Sequence, residues 1–156
     1  MSRIAILGFL IGGACSSFAL ACEPATGLLR HPARGEIDKR FGYVQHPILH
    51  TTRLHTGIDY KGAIGDPIAV SDNGAVVEAK VEGAYGNYVR IDHGAGRQTA
   101  YAHLQKIEVK VGDCVRQSQI IGHIGSTGLA TAPHLHFEIL QSGRFLDPAP
   151  LLPARD

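Results

Sequence analysis

Five side chains in three separate stretches could do chemistry together. In Thr131-Ala132-Pro133-His134-Leu135-His136-Phe137-Glu138-Ile139, strand alternation sends Leu135, Phe137 and Ile139 to one face and His134, His136 and Glu138 to the other. Residues two apart on a strand stand ~6.7 Å apart, so the two imidazoles can meet at one ion, or one can bind it while the other addresses a water there. Alternation does not decide which of the two is the ligand. Alone, a His-x-His is more often a solvated pair than a metal site. In Arg53-Leu54-His55-Thr56-Gly57-Ile58-Asp59-Tyr60, a straight strand would part His55 from Asp59 by ~13 Å. Thr56, Gly57 and Ile58 are poor helix residues, so the chain must bend, and Gly57 permits it. The bend offers one nitrogen and one oxygen, both acceptable to Zn2+. The third stretch, Thr99-Ala100-Tyr101-Ala102-His103-Leu104, reads with Ala100, Ala102 and Leu104 inward and Thr99, Tyr101 and His103 outward. Each stretch has an ordinary structural reading by itself. Three of them, each placing histidine opposite its apolar face, are better explained by a shared metal centre.

The elements that must position these residues are short. From Arg40 onward alternating runs are cut by glycine, which supplies 19 of 156 residues, and no stretch has the spacing of an amphipathic helix. The pattern predicts an all-β fold, an antiparallel sandwich or open barrel with few or no helices. Lys106–Val111 reads as a strand with Ile107, Val109 and Val111 on one face; Val77, Ala79 and Val81 form a similar run, and Tyr88–Asp92 another, closed by His93-Gly94-Ala95-Gly96. Pro148, Pro150 and Pro153 mark the exit from the sheet. Residues 22–39, with Pro24, Gly27, Pro32 and Gly35, read as an N-terminal arm, residues 40–150 as the domain and 151–156 as a tail.

In order, Phe41-Gly42, His46-Pro47-Ile48, Arg53-x-His55-Thr-Gly-Ile-Asp59, Gly65-x-Pro67-Ile68, Gly74-x-Val76, Tyr85-Gly86-Asn87, Tyr101-x-His103-Leu104, Gly125-Ser126-Thr127-Gly128 and His134-Leu135-His136-Phe137-Glu138 resemble the lysostaphin-like zinc metallopeptidases, which cut peptide bonds in bacterial peptidoglycan. The resemblance runs from about Arg40 to Pro148. It implies that His55, Asp59 and His136 hold Zn2+, that His103 and His134 form an unliganded catalytic pair, and that a groove crosses an antiparallel β core. Three protein ligands would leave one position open, as a catalytic rather than a structural zinc requires. The implied function is a secreted zinc metalloendopeptidase acting on peptide stems and cross-bridges. The alternative is a non-catalytic wall-binding or regulatory module that activates another hydrolase; members of that kind have typically lost ligand or catalytic histidines, and this chain keeps them all. A structural zinc would need a fourth protein ligand, for which Glu138 and His103 are the candidates. Arg53 as an oxyanion partner, His46 and His50 as rim residues and Glu138 as support for a ligand imidazole compete with plainer readings as solvated or turn residues; Asn87 reads as turn chemistry, and His93 and His123 receive no role.

Composition limits the remaining possibilities. Fifteen Lys plus Arg against fourteen Asp plus Glu provide no field of one sign for a nucleic acid. Residues 1–21, with Arg3, the apolar run Ile4–Ala14 and the ending Ala19-Leu20-Ala21, read as a secretory signal cleaved after Ala21, too short an apolar run for a membrane span. The expected location is the periplasm or the exterior. Cleavage leaves Cys22 and Cys114, open to three readings: a disulfide tying the arm to the domain, two unrelated thiols, or a lipid on Cys22. Control, if any, falls to a protein partner or to the arm lying across the groove.

Overall fold

The computed structural model describes residues 22–45 and 51–155. His46 and His50, and the expected signal of residues 1–21, lie outside the described residues. The chain is all-β, with no α-helix among the described residues and two single turns of 3-10 helix. Its strands are β1 (Ile37–Lys39), β2 (Gly42–Gln45), β3 (Thr52–His55), β4 (Ile58–Lys61), β5 (Pro67–Ala69) and β6 (Gly74–Glu82). There follow β7 (Gly86–Asp92), β8 (Arg97–Ile107), β9 (Cys114–Val115), β10 (Ile120–Ile124), β11 (His134–Gln141) and β12 (Arg144–Leu146). Ten of them form one sheet in the order β1-β4-β11-β8-β7-β6-β9, with β10 joining β8 to β5 and β12 beside β11; β2 and β3 form a separate hairpin. The strand pairs are antiparallel throughout.

One face of this sheet is sealed by the main core. Leu135, Phe137 and Ile139 of β11, Ile58 and Tyr60 of β4, Val89 and Ile91 of β7 and Ile121 and Ile124 of β10 meet there, all almost without solvent contact. Each such side chain contributes ~1.5–3 kcal/mol of burial free energy. The alternation of β11 therefore runs as its sequence requires. In β8 it runs the other way from expectation. Thr99 and Tyr101 point into the main core, where Tyr101 packs 5.4 Å from the Phe137 ring, while Ala100 and Ala102 join Tyr88 and Leu140 on the opposite face. Tyr101 can enter the core because its hydroxyl accepts a 3.0 Å bond from the Ser71 amide and lies 2.9 Å from Thr99 Oγ1. The two alanines stand opposite His136 and Glu138 in the ladder, and their small size leaves room for those side chains.

Two further runs are corrected. Only Lys106 and Ile107 of the expected strand Lys106–Val111 are in β8; Ile107 and, beyond the strand, Val109 lean on the core, but Val111 is exposed and Gly112 turns the chain. In β6, a bulge between Val76 and Glu78 puts Val76 in the core and leaves Val77 and Val81 exposed.

Residues 22–39, read from the sequence as an N-terminal arm, pack along the domain. Leu29 and Ala33 are buried in the main core, the Thr26 and Gly27 amides donate to the Asp72 carboxylate, and Cys22 is bonded to Cys114 of β9. β1, at the end of this segment, adds an edge strand beside β4. Leu152 of the tail enters the same core, and the Arg155 guanidinium donates to the carbonyls of Ala33 and Gly35 and lies 5.0 Å over the Tyr60 ring. Disulfide formation at Cys22 leaves no thiol there for a lipid.

Candidate active site

The second face of the sheet carries the chemistry. β3 ends at His55, β4 begins at Ile58, and the bend at Thr56-Gly57 folds Asp59 back beneath His55. Gly57 is required by proximity rather than by a special dihedral: a Cβ there would fall 2.2 Å from the Phe137 carbonyl oxygen, and its φ is not positive. β4 and β11 then align so that Asp59 stands opposite His136. His55 Nε2, His136 Nδ1 and Asp59 Oδ1 form a triangle with edges of 2.8, 3.1 and 3.2 Å. A tetrahedral ion with bonds of about 2.0–2.1 Å spaces its ligand atoms about 3.3 Å apart, so two imidazoles and a carboxylate in this arrangement fit Zn2+. These three residues are the group able to hold a metal ion among the described residues.

The far nitrogens of the two ligand-type imidazoles are fixed. His55 Nδ1–H donates to the Arg40 carbonyl at 2.8 Å, which turns Nε2 toward the cluster. His136 Nε2 lies 3.1 Å from Glu138 Oε1 and donates to it, which turns Nδ1 inward. Glu138 is buried, and the same oxygen also accepts from Thr56 Oγ1 and from the Tyr85 hydroxyl; Oε2 has no hydrogen-bond partner. Burial opposes the Glu138 charge, but its bonds from His136 and Thr56 win and hold its pKa below the ordinary value. For His136, burial disfavours the charged ring, yet the carboxylates of Asp59 and Glu138 outweigh it and raise the pKa to about 9. Asp59 shows the reciprocal effect: its burial is overcome by the bonds from His136 and His55, and its carboxyl stays well below the usual carboxylate range.

Glu138→Gln should weaken zinc binding about 10- to 100-fold, measured by competition with a chromogenic chelator, with the fold retained by circular dichroism. Unchanged affinity would show that Glu138 only fills space.

The other two histidines stand beside the cluster without joining it. The His103 and His134 rings are 4.6 Å apart, with His103 6.1 Å from His136. Each is held by its outer nitrogen: His103 Nδ1–H donates to the Thr127 carbonyl and His134 Nδ1–H to the Ala132 carbonyl, both at 2.8 Å. Their Nε2 atoms are therefore proton acceptors. Burial is the chief cause that lowers the His103 pKa, with the charge of His134 and His136 adding to it, so that ring is neutral at neutral pH. His103 reaches this face because it breaks the alternation of β8. It has φ +64°, and the ladder to β7 takes one extra residue between Tyr101 and Leu104, so Leu104 returns to the main core and His103 turns to the site. The loop that receives it is fastened by close backbone contact, since a Cβ on Gly128 would fall 2.4 Å from the Ala84 carbonyl oxygen.

Several contributors were not legible as such in the sequence. Thr56 and Tyr85 anchor Glu138, the Tyr85 ring lies 5.8 Å from His136, and the Thr127 carbonyl orients His103. Thr56 and Tyr85 sat inside recognisable motifs, but neither type announces its hydrogen-bond partner. Lys39 Nζ lies 3.6 Å from Asp59 Oδ2. Asn87 braces the backbone, donating to the carbonyls of Leu104 and Gln105. Arg53 is exposed on β3. His93 is buried away from the site, its Nδ1 donating to the Asn73 carbonyl and its Nε2 2.8 Å from Thr99 Oγ1, and His123 lies 3.5 Å from Glu108.

An antiparallel β protein with two imidazoles and a carboxylate converging beside two further imidazoles defines a metallohydrolase-type centre. The chain belongs to Peptidase family M23, whose model matches residues 53–148. It is 46% identical over 112 residues to the DD-carboxypeptidase/endopeptidase Mpg of Neisseria meningitidis serogroup B, covering 72% of this chain and 26% of that one. It is 43% identical over 99 residues to the peptidoglycan DD-endopeptidase ShyA of Vibrio cholerae, covering 64% of this chain and 23% of that one. The chain thus spans about a quarter of the length of these curated relatives. Among solved structures it resembles a zinc-containing peptidase from Vibrio cholerae, with a TM-score of 0.73 and 34% identity over 81% of this chain and 39% of that one. It also resembles the catalytic domain of lysostaphin from Staphylococcus simulans, with a TM-score of 0.67 and 35% identity over 74% of this chain and 90% of that one.

Proposed function

We propose that this protein is a zinc metalloendopeptidase that hydrolyses peptide cross-links of bacterial peptidoglycan, with His55, Asp59 and His136 as metal ligands and His103 and His134 as the catalytic pair. The observation that carries the proposal is the convergence of all five side chains, with the outer nitrogen of each of the four histidines already bonded so that the inner one faces metal or substrate. Names of relatives that include peptidoglycan DD-endopeptidase support the choice of substrate. Bound there, zinc supplies a Lewis acid for the scissile carbonyl and acidifies water at neutral pH. His103, kept neutral by burial, and His134 hold the attacking water through their Nε2 lone pairs, accept its proton and return one to the departing amine. The Thr127 and Ala132 carbonyls keep both rings in the tautomer this needs.

A module that only binds walls has no use for two histidines with free Nε2 atoms beside a metal cluster. Action on the wall implies export; among the described residues no helix is long and apolar enough to cross a membrane. Purified walls incubated with the protein should release new free amines and soluble muropeptides, and a zinc chelator should reduce that release to the blank. Wall binding without new amines in the zinc-loaded protein would favour the regulatory reading.

A further inference from the structure

Asp59 uses one carboxylate oxygen for the cluster and turns the other elsewhere. Oδ1 meets both His55 and His136, whereas Oδ2 has Lys39 Nζ at 3.6 Å and His134 Nε2 at 3.8 Å. Lys39 ends the edge strand β1 directly opposite Asp59 in register, and its side chain is 56% exposed against 5% for Asp59. Among the described residues it is the one Lys or Arg paired with a side chain of the site. A lysine that served only to guard a sheet edge against pairing would have no reason to reach a buried carboxylate. Its neighbour Asp38 pairs instead with Lys61, and both of those side chains are largely in solvent.

The pair is poorly suited to be a permanent structural link. An exposed ammonium at this distance gains little from a single carboxylate. A divalent cation on Asp59 Oδ1 would neutralise the charge that attracts Lys39 and add a like charge beside it. The ammonium, on a flexible stem open to solvent, then stands beside Asp59 in need of an anion. A peptide cross-link made through one amine of a diamino dicarboxylic acid leaves the carboxylate on that same carbon free beside the scissile amide; a lysine joined through its side-chain amine, or a bridge of internal glycines, has no such group.

We propose that Lys39 is a specificity-determining residue that binds a substrate carboxylate flanking the bond to be cut. This rests on the endopeptidase reading above and adds to it a ligand class for a residue outside the metal and proton machinery. The test uses two synthetic peptides that differ only in whether the diamino acid beside the scissile amide carries a free carboxylate or its carboxamide, and reads kcat/KM for each with the zinc-loaded full chain. The wild-type protein should prefer the carboxylate peptide by about tenfold, mostly through KM, as expected for one charge-assisted contact at a wet site. Lys39→Ala should bring the ratio close to one, Lys39→Arg should keep most of it and Lys39→Glu should invert it. High salt should shrink the wild-type preference. Zinc affinity is measured in parallel, because a lysine that merely positions Asp59 would change both peptides together. An unchanged ratio in Lys39→Ala, or equal loss on both peptides, overturns the assignment. Failure of the wild-type protein to cut either peptide overturns the endopeptidase function itself, and the carboxylate anchor with it.

Discussion

Alanine at His55, Asp59 or His136 should abolish stoichiometric zinc binding, whereas His103→Ala and His134→Ala should retain the metal and slow turnover by ~10²–10⁴. The reasoning is geometric. The first three place their ligand atoms within 3.2 Å of one another, each from a different stretch of backbone or side of a bend, and removing one leaves two donors. The loss should be most disruptive at His136, the strand partner of Asp59, whose buried charge it offsets. His103 and His134 have their Nδ1 atoms committed to backbone carbonyls, and neither belongs to the cluster able to hold an ion. Their removal takes away proton acceptors and leaves the triangle intact. Metal content by atomic absorption, beside initial rates on muropeptides, separates the two classes. Equal zinc loss across all five variants would refute the division of roles, and would point instead to a site in which His103 or His134 is a further ligand.

How far this centre can be read from the residues depends on which rule governs each stretch. β11 obeys period two without interruption, so His134-Leu135-His136 already separates a core face from a chemical face. What alternation cannot supply is depth: it puts His136 and Glu138 on one face without saying that they are buried beneath Tyr85 and the second apolar cluster. The bend at Thr56-Gly57 was legible from distance alone, since His55 and Asp59 cannot meet along a straight strand, but the need for glycine comes from β11 pressing on it. β8 misled because its small residues face the site and its large tyrosine the core, the reverse of a simple hydrophobic reading. The left-handed residue at 103 then shifts the period within the strand. Nothing in Ala102-His103-Leu104 marks a bulge; it is imposed by pairing to β7. The packing of the N-terminal segment lies equally beyond local pattern. Leu29 and Ala33 show no periodicity, and they are held in the core by the disulfide and by Asp72, contacts far away in sequence. The ladder position of β1, and with it the place of Lys39 beside Asp59, follows from that packing.

Removing the Cys22–Cys114 bond, by the double change Cys22→Ser and Cys114→Ser, should cost about 2–5 kcal/mol of stability, as loss of a native disulfide typically does. The two cysteines are 92 residues apart, so the bond closes most of the described chain into a single loop and removes a large number of unfolded conformations. Its native role is equally concrete. β9 is a two-residue strand at one end of the main sheet, and Cys22 opens the segment that delivers Leu29 and Ala33 to the core, β1 to the sheet edge and the Arg40 carbonyl to His55. For a domain of this size the loss corresponds to a fall in melting temperature of about 6–20 °C. Activity at low temperature should persist, because β1, the buried Leu29 and the Asp72 bonds still hold the segment in the folded state. Calorimetry of the zinc-loaded protein, with the metal kept in the same excess for both forms, isolates the effect from metal linkage. Melting at the same temperature with and without the bond would mean that the segment is anchored by its noncovalent contacts alone. An early loss of zinc from the serine variant, ahead of the main transition, would instead show that the bond's chief service is to keep Arg40 against His55.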